Sequence, residues 1–202
     1  MKDLKSRGVG VLRSLEKYTE TDMVYVTKNI LWINANTIIV TVFSFILSIL
    51  LARFVSKDIY GIYQFILSIG LILGSFTLTG MNAAVTQAAA RGFDGVFISS
   101  VKTQLKFGLI PFSIGMAISL YYLINGNLTL SVGILATAIL LPMTNSLNTW
   151  GAYLGGKKEF GRSFFYNQII NVIYYGGIIA SVYFFPSALM LVLVTLVTNF
   201  AS

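Results

Sequence analysis

Residues 29–91 constrain the fold more than any other stretch. An uncharged run of 24 residues, Asn29–Ala52, is followed by the polar connector Arg53-Phe-Val-Ser-Lys57-Asp58 and a second uncharged run of 32, Ile59–Ala90. A hydrocarbon layer about 30 Å thick is crossed by ~20 helical residues at ~1.5 Å each, so both runs are long enough to span it. In hydrocarbon no water satisfies backbone N–H and C=O groups, and a helix satisfies them internally. The expectation is a membrane-spanning helical hairpin.

Two longer uncharged runs follow, 50 residues at Phe107–Gly156 and 40 at Ser163–Ser202. A soluble domain made from these runs would have almost no polar surface, since only 10% of the chain is charged against roughly 25% in an average soluble domain. The expected fold class is therefore all-α, a polytopic membrane protein with about six transmembrane helices. Cysteine and histidine are both absent. Their absence excludes disulfides, thiolate chemistry, a Ser-His-Asp triad and the commonest metal ligand. No enzymatic role, cofactor or metal is expected. The basic excess, 14 Lys and Arg against 7 Asp and Glu, is read as membrane topology rather than nucleic-acid binding.

Residues 1–28 form a basic N-terminal segment in which Leu4, Val11, Leu15 and Tyr18 recur at helical spacing, compatible with a surface-lying helix or a solvated tail. Residues 29–202 form the transmembrane lobe. The first span is expected at Ile30–Ala52, with Trp32 in the headgroup zone, and the second at Ile62–Ala84. Val96, Phe97, Ile98, Val101 and Leu105 predict a surface-lying helix before a third span at Phe107–Ile124. Asn125-Gly-Asn127 is turn chemistry and separates it from a fourth span at Leu130–Trp150. Pro111 and Pro142 should bend these two helices. A fifth span follows at Tyr166–Phe184, and Ser187–Ser202 is expected to be an incomplete sixth.

Alternating the connectors between two sides places twelve basic residues on the side of the N terminus and two, Arg53 and Lys57, on the other. Lysine and arginine collect in short cytoplasmic loops, so the N terminus is expected in the cytoplasm and Asn125–Thr129 outside.

No span carries a charge away from its ends, and so none offers an ionic coupling site. The spans do carry neutral polar groups. Their ordinary role is hydrogen bonding between helices, worth about 0.6 and up to ~2 kcal/mol each. Asn36, Asn145 and Asn148 are candidates for lining a wet cavity that takes a polar substrate, the last two being one turn apart on a proline-bent helix. Arg53 either ends its span by snorkelling to the interface or holds a phosphate at a cavity rim. Ser44-xxx-Ser48-xxx-Ala52, Gly70-xxx-Gly74 and Gly151-xxx-Gly155 are candidate faces for close helix packing.

The stretch Ala52-Arg53-Phe-Val-Ser-Lys-Asp-Ile-Tyr60-Gly61-Ile-Tyr63, with the apolar run closing on Gly80, resembles the Wzx-like polysaccharide-export flippases. These form a branch of the multidrug/oligosaccharidyl-lipid/polysaccharide exporter superfamily. Gly151-Ala-Tyr-Leu-Gly-Gly-Lys-Lys-Glu-Phe-Gly-Arg162 is similar to the connector after that family's fourth span. The resemblance covers about residues 28–185 and matches one lobe of a two-lobed fold. It implies flipping of polyprenyl-pyrophosphate-linked oligosaccharide from the inner to the outer leaflet of the cytoplasmic membrane by alternating access. The implied partners are membrane lipid, that lipid-linked substrate, and a second lobe or second copy. The alternatives are a drug or cation exporter of the same superfamily, or a non-transporting scaffold for cell-envelope synthesis.

Overall fold

The structure, a computed structural model, describes residues 23–78, 80–184 and 186–200. Among these there are nine helices and no strand: α1 (Met23–Phe54), α2 (Lys57–Ser75), α3 (Met81–Ala90), α4 (Val96–Phe107), α5 (Leu109–Ile124), α6 (Leu128–Leu147), α7 (Thr149–Gly156), α8 (Phe160–Phe184) and α9 (Ala188–Phe200). The possible surface helix within residues 1–28 falls mostly outside the described residues, although α1 already begins at Met23.

Among the described residues, four segments are long and apolar enough to cross a membrane: Ile30–Phe54, Lys57–Ser75, Val96–Ile124 and Leu128–Gly156. Much of their surface is apolar and uncovered, as at Leu31 (64% exposed), Phe45 (67%) and Leu71 (79%). The chain is thus an all-helical, multi-pass membrane protein. The expected fifth span, Tyr166–Phe184, falls in α8, which begins earlier, at Phe160, and, carrying Arg162, Asn167, Gln168 and Asn171, is not among these four. The expected sixth is the 13-residue α9.

The connector between α1 and α2 is built from capping chemistry. Arg53 lies in the last turn of α1 and Asp58 in the first turn of α2, each the favourable sign for its helix end. Ser56 caps α2, its hydroxyl accepting from Ile59 N at 3.4 Å. The hairpin expectation nevertheless needs correcting. α1 packs chiefly along α8 and meets α2 much less, while α2 packs on α6 and α9.

The second span is also not one helix. α2 stops at Ser75 and α3 starts at Met81. Ser75 and Thr77 hydroxyls donate to the carbonyls of Ile72 and Gly74, which competes with the helical ladder and ends it before Ala84. Conversely, the segment expected to lie on the surface, α4, stacks on α5 into one rod. The assigned break at Gly108 coincides with Pro111, which has no N–H to give the Phe107 carbonyl. A similar junction at Asn148 is flanked by Thr144, Ser146 and Thr149, all of which donate back to carbonyls three residues earlier.

The Asn125–Asn127 turn is as expected. Gly126, at φ +76°, donates to Leu123 O, Asn127 N donates to Tyr122 O, and the Asn127 side chain caps α6 at Leu130 N. α7 ends in the same pattern, with Lys158 at φ +63° in the place glycine usually takes.

The core joins Leu47 and Leu51 of α1, Tyr63 and Ile66 of α2, Ile134 of α6, Ile178 of α8, and Leu191 and Val192 of α9. α9 is therefore central despite its shortness, with Leu191 and Val192 fully buried. Close helix approach is made by glycines. A Cβ on Gly115 would stand 2.5 Å from Ala138 Cβ, on Gly108 2.5 Å from Pro142 Cβ, and on Gly156 2.5 Å from Thr86 O. Of the candidate packing pairs, Gly70 meets Thr137 at 3.1 Å, but Gly74, Gly151 and Gly155 face open space.

Candidate functional site

Two polar features run through the apolar bundle. The first is the α1–α8 seam. Gln168 Nε2 donates to Asn36 Oδ1 at 2.7 Å, the Tyr175 hydroxyl lies 2.8 Å from Ser44 Oγ and donates to Val40 O, and Phe43 stacks on Tyr175 at 5.1 Å. At the other end of the seam Trp32 packs on Phe164 at 4.7 Å. These contacts join two helices along the seam, and the cavity of about 280 Å³ farther along it is lined by Leu47, Leu50, Phe54, Ile179, Val182 and Tyr183, without an amide.

The second is a groove of about 580 Å³ between α2, α6 and α9, a size common for small-molecule sites. Gln64, Ser68 and Ser75 face it from α2, Thr137 and Asn145 from α6, and Thr195 from α9. The local sequence explains the polarity of the α2 wall: Gln64, Ser68 and Ser75 recur at helical spacing on one face.

Several hydroxyls spend their proton internally. Ser68 donates to Gln64 O, Thr137 to Gly133 O and Thr195 to Leu191 O, each at 2.8 Å. The oxygens of Ser68 and Thr137 keep their lone pairs as acceptors, while Thr195 Oγ1 already has the Tyr63 hydroxyl at 3.2 Å and keeps one. Donors come from amides: Gln64 holds Tyr60 OH at 2.8 Å, and the Asn145 side chain makes no hydrogen bond among the described residues. Among the described residues no charged side chain lines the groove. The surface offered is neutral, with both donors and acceptors, and suits hydroxyl-rich solutes better than ions.

The sequence profile of a family described as polysaccharide biosynthesis protein matches residues 26–202. The chain belongs to that family. No curated protein and no solved structure matches it.

In this polysaccharide biosynthesis protein the four candidate residues lie in different places. Asn145 lines the groove, whereas Asn36 is engaged by Gln168 in the α1–α8 seam. Asn148 is exposed at the junction of α6 and α7, with its backbone N–H on Thr144 O at 2.9 Å, and is not part of the groove wall. Arg53 is exposed at the end of α1, outside the groove, and has no ion-pair partner among the described residues. Gln64, Ser68, Thr137 and Thr195 were not among the sequence candidates. For the first two, a glutamine and a serine four apart in an otherwise apolar run were the available signal. For Thr137 and Thr195 there was none, since which face of α6 meets α9 depends on tertiary packing.

Outside the spans, the Lys157 ammonium pairs with Asp94, joining the end of α7 to the α3–α4 turn. The hydrogen bond from Lys157 holds the Asp94 carboxyl below its ordinary value, and the bond to Asp94 raises Lys157. Arg162 pairs with Glu159 at 2.9 Å on the first turn of α8.

Proposed function

We propose that this protein moves lipid-linked polysaccharide or oligosaccharide units from the inner to the outer leaflet of the cytoplasmic membrane by alternating access. The observation that carries the reading is the neutral, amide- and hydroxyl-lined groove between α2, α6 and α9 in a membrane protein of the polysaccharide biosynthesis family. A saccharide headgroup crossing hydrocarbon loses the hydrogen bonds its hydroxyls made to water, at a cost of several kcal/mol per group by alkane-transfer scales. Gln64 and Asn145 amides, with the Ser68, Thr137 and Thr195 oxygens, replace part of that hydration while the polyprenyl tail stays in lipid.

Among the described residues the groove carries no cation, so the pyrophosphate is held elsewhere, by Arg53 or by a second lobe or second copy of the chain that completes the path. The substrate leaves chemically unchanged, so no catalytic group or cofactor takes part. The N terminus is assigned to the cytoplasm on the loop charges. Substituting Asn145→Leu together with Gln64→Leu should cut flux of the lipid-linked unit at least about tenfold, the loss of two hydrogen bonds to substrate, with expression and melting temperature held. Unchanged flux in a well-folded variant would refute the assignment of the groove.

A further inference from the structure

Gly74 stands on the wall of the groove between α2, α6 and α9, and neither the backbone nor the packing there requires a glycine. Glycine weakens a helix relative to alanine, and it is used where the backbone is left-handed or where a neighbouring backbone or a ligand comes close. Gly74 lies within α2, and among the described residues the glycines with positive φ are Gly92 and Gly126. A Cβ on Gly74 would meet nothing within 4 Å. Gly61, Gly151, Gly155 and Gly176 are equally open, but none of them lines the groove. Gly70, one turn earlier on the same wall, does have a packing reason, since its Cβ would stand 3.1 Å from Thr137 Cγ2.

The space at Gly74 arises where α2 parts from α6. Ile66 meets Gly133, where a Cβ would stand 2.4 Å from Ile66 Cδ1, and one turn on along both helices Gly70 meets Thr137. The two helices therefore run parallel and in register, and the next pair in that register is Gly74 with Leu141. Contact is lost at this pair, and Gly74, Leu141 and Asn145 border an opening. The Asn145 amide lies one turn beyond Leu141 and supplies the opening with donors and an acceptor. The loop charges place this end of α2 on the cytoplasmic side.

We propose that Gly74 is a specificity-determining residue, whose missing side chain sets how large a saccharide headgroup enters the groove from the cytoplasmic side. The inference rests on the groove being the transport path. A side chain at position 74 would lie on the same helix face as Gly70 and project toward Leu141, narrowing the opening while leaving the groove's amides and hydroxyls in place. It would exclude by bulk, and would act more strongly on a headgroup of several sugars than on one of a single sugar. One methylene more or less in a pocket changes discrimination by about 10–200-fold.

The full chain is reconstituted in vesicles loaded with a polyprenyl-pyrophosphate-linked monosaccharide or with the same carrier bearing a pentasaccharide, and the two fluxes are compared. In Gly74→Leu the ratio of pentasaccharide to monosaccharide flux should fall at least about tenfold. Leu141→Ala added to it should restore the ratio, because space is returned from the facing helix. Gly74→Ala, which nothing obstructs, should lower the ratio in the same direction by about twofold or more and raise the melting temperature through helix propensity. This smaller variant decides the question even if Gly74→Leu fails to fold. Equal losses of both fluxes, or an unchanged ratio in a folded Gly74→Ala or Gly74→Leu protein, would overturn the role of Gly74 while leaving the groove as the path. Parent protein that moves neither headgroup faster than protein-free vesicles would overturn the transport reading itself, and this inference with it.

Discussion

Gln168 and Asn36 lie 132 positions apart in the chain, yet their amides meet at 2.7 Å and tie α8 to α1. Asn36→Ala should cost about 0.6–2 kcal/mol, because the Gln168 amide is left without that partner inside an otherwise apolar bundle. Asn36→Leu with Gln168→Leu should recover most of the loss, since neither polar group is then stranded. Thermal unfolding in detergent checks both. A single variant as stable as the parent would show that the pair does not hold the seam.

Gly156 sets the distance between α7 and α3. A Cβ there would stand 2.5 Å from Thr86 O and 2.7 Å from Ala89 Cβ, and backbone cannot yield as a flexible side chain does. Gly156→Ala should therefore destabilise by about 1–3 kcal/mol. Gly155→Ala, one position away and facing open space, should be neutral or gain up to ~1 kcal/mol from helix propensity. The two melting temperatures, measured side by side, decide the matter, and equal shifts would contradict the packing.

The Asp94–Lys157 pair gives a signed pH dependence. Asp94 is held below 3.8, so its stabilisation is present above that pH and is lost as pH falls through the lowered value. Lys157 is raised above 10.5, so its stabilisation is present below that pH and is lost as pH rises through the raised value. The pair contributes a flat term between these limits. Asp94→Asn should lower the melting temperature slightly at pH 7 and not at all well below pH 3.8. High salt should shrink the effect at pH 7, because both groups are exposed. A difference that persists in strong acid would rule the pair out as its cause.

Topology is testable in a chain without cysteine. A cysteine in place of Asn127 should react with a membrane-impermeant maleimide in intact cells, and one in place of Lys157 should react only after permeabilisation. The reverse pattern would invert the orientation drawn from the loop charges.

Much of the helical content was legible because it rests on local or compositional constraints. Uncharged runs force helices in hydrocarbon, and the Asn125-Gly126-Asn127 turn needs only a residue at φ +76° followed by a capping amide. The partner of each helix was not legible. The Ala52–Tyr63 connector suggests that α1 pairs with α2, but α1 lies on α8, and nothing local to Asn36 announces Gln168. Small-residue spacing likewise marks Gly70, Gly74, Gly151 and Gly155 alike, whereas only a facing backbone or side chain distinguishes Gly70 from the rest. The break between Ser75 and Met81 was obscured because Ser75 and Thr77 bond back to their own helix, a choice that hydropathy does not register. At the site, Asn145 could be named from its place on a proline-containing span, but its companions Gln64 and Thr195 come from helices that meet it only in the folded bundle.

The most direct measurement is the leaflet distribution of a lipid-linked oligosaccharide in vesicles with and without the reconstituted protein, followed by a lectin that reaches only the outer face. Proteoliposomes should expose headgroups loaded on the inner face at a rate that rises with protein content and falls with Asn145→Leu and Gln64→Leu. Identical distributions in protein-containing and protein-free vesicles, with a second lobe or partner chain supplied where one is needed, would contradict transport through this groove.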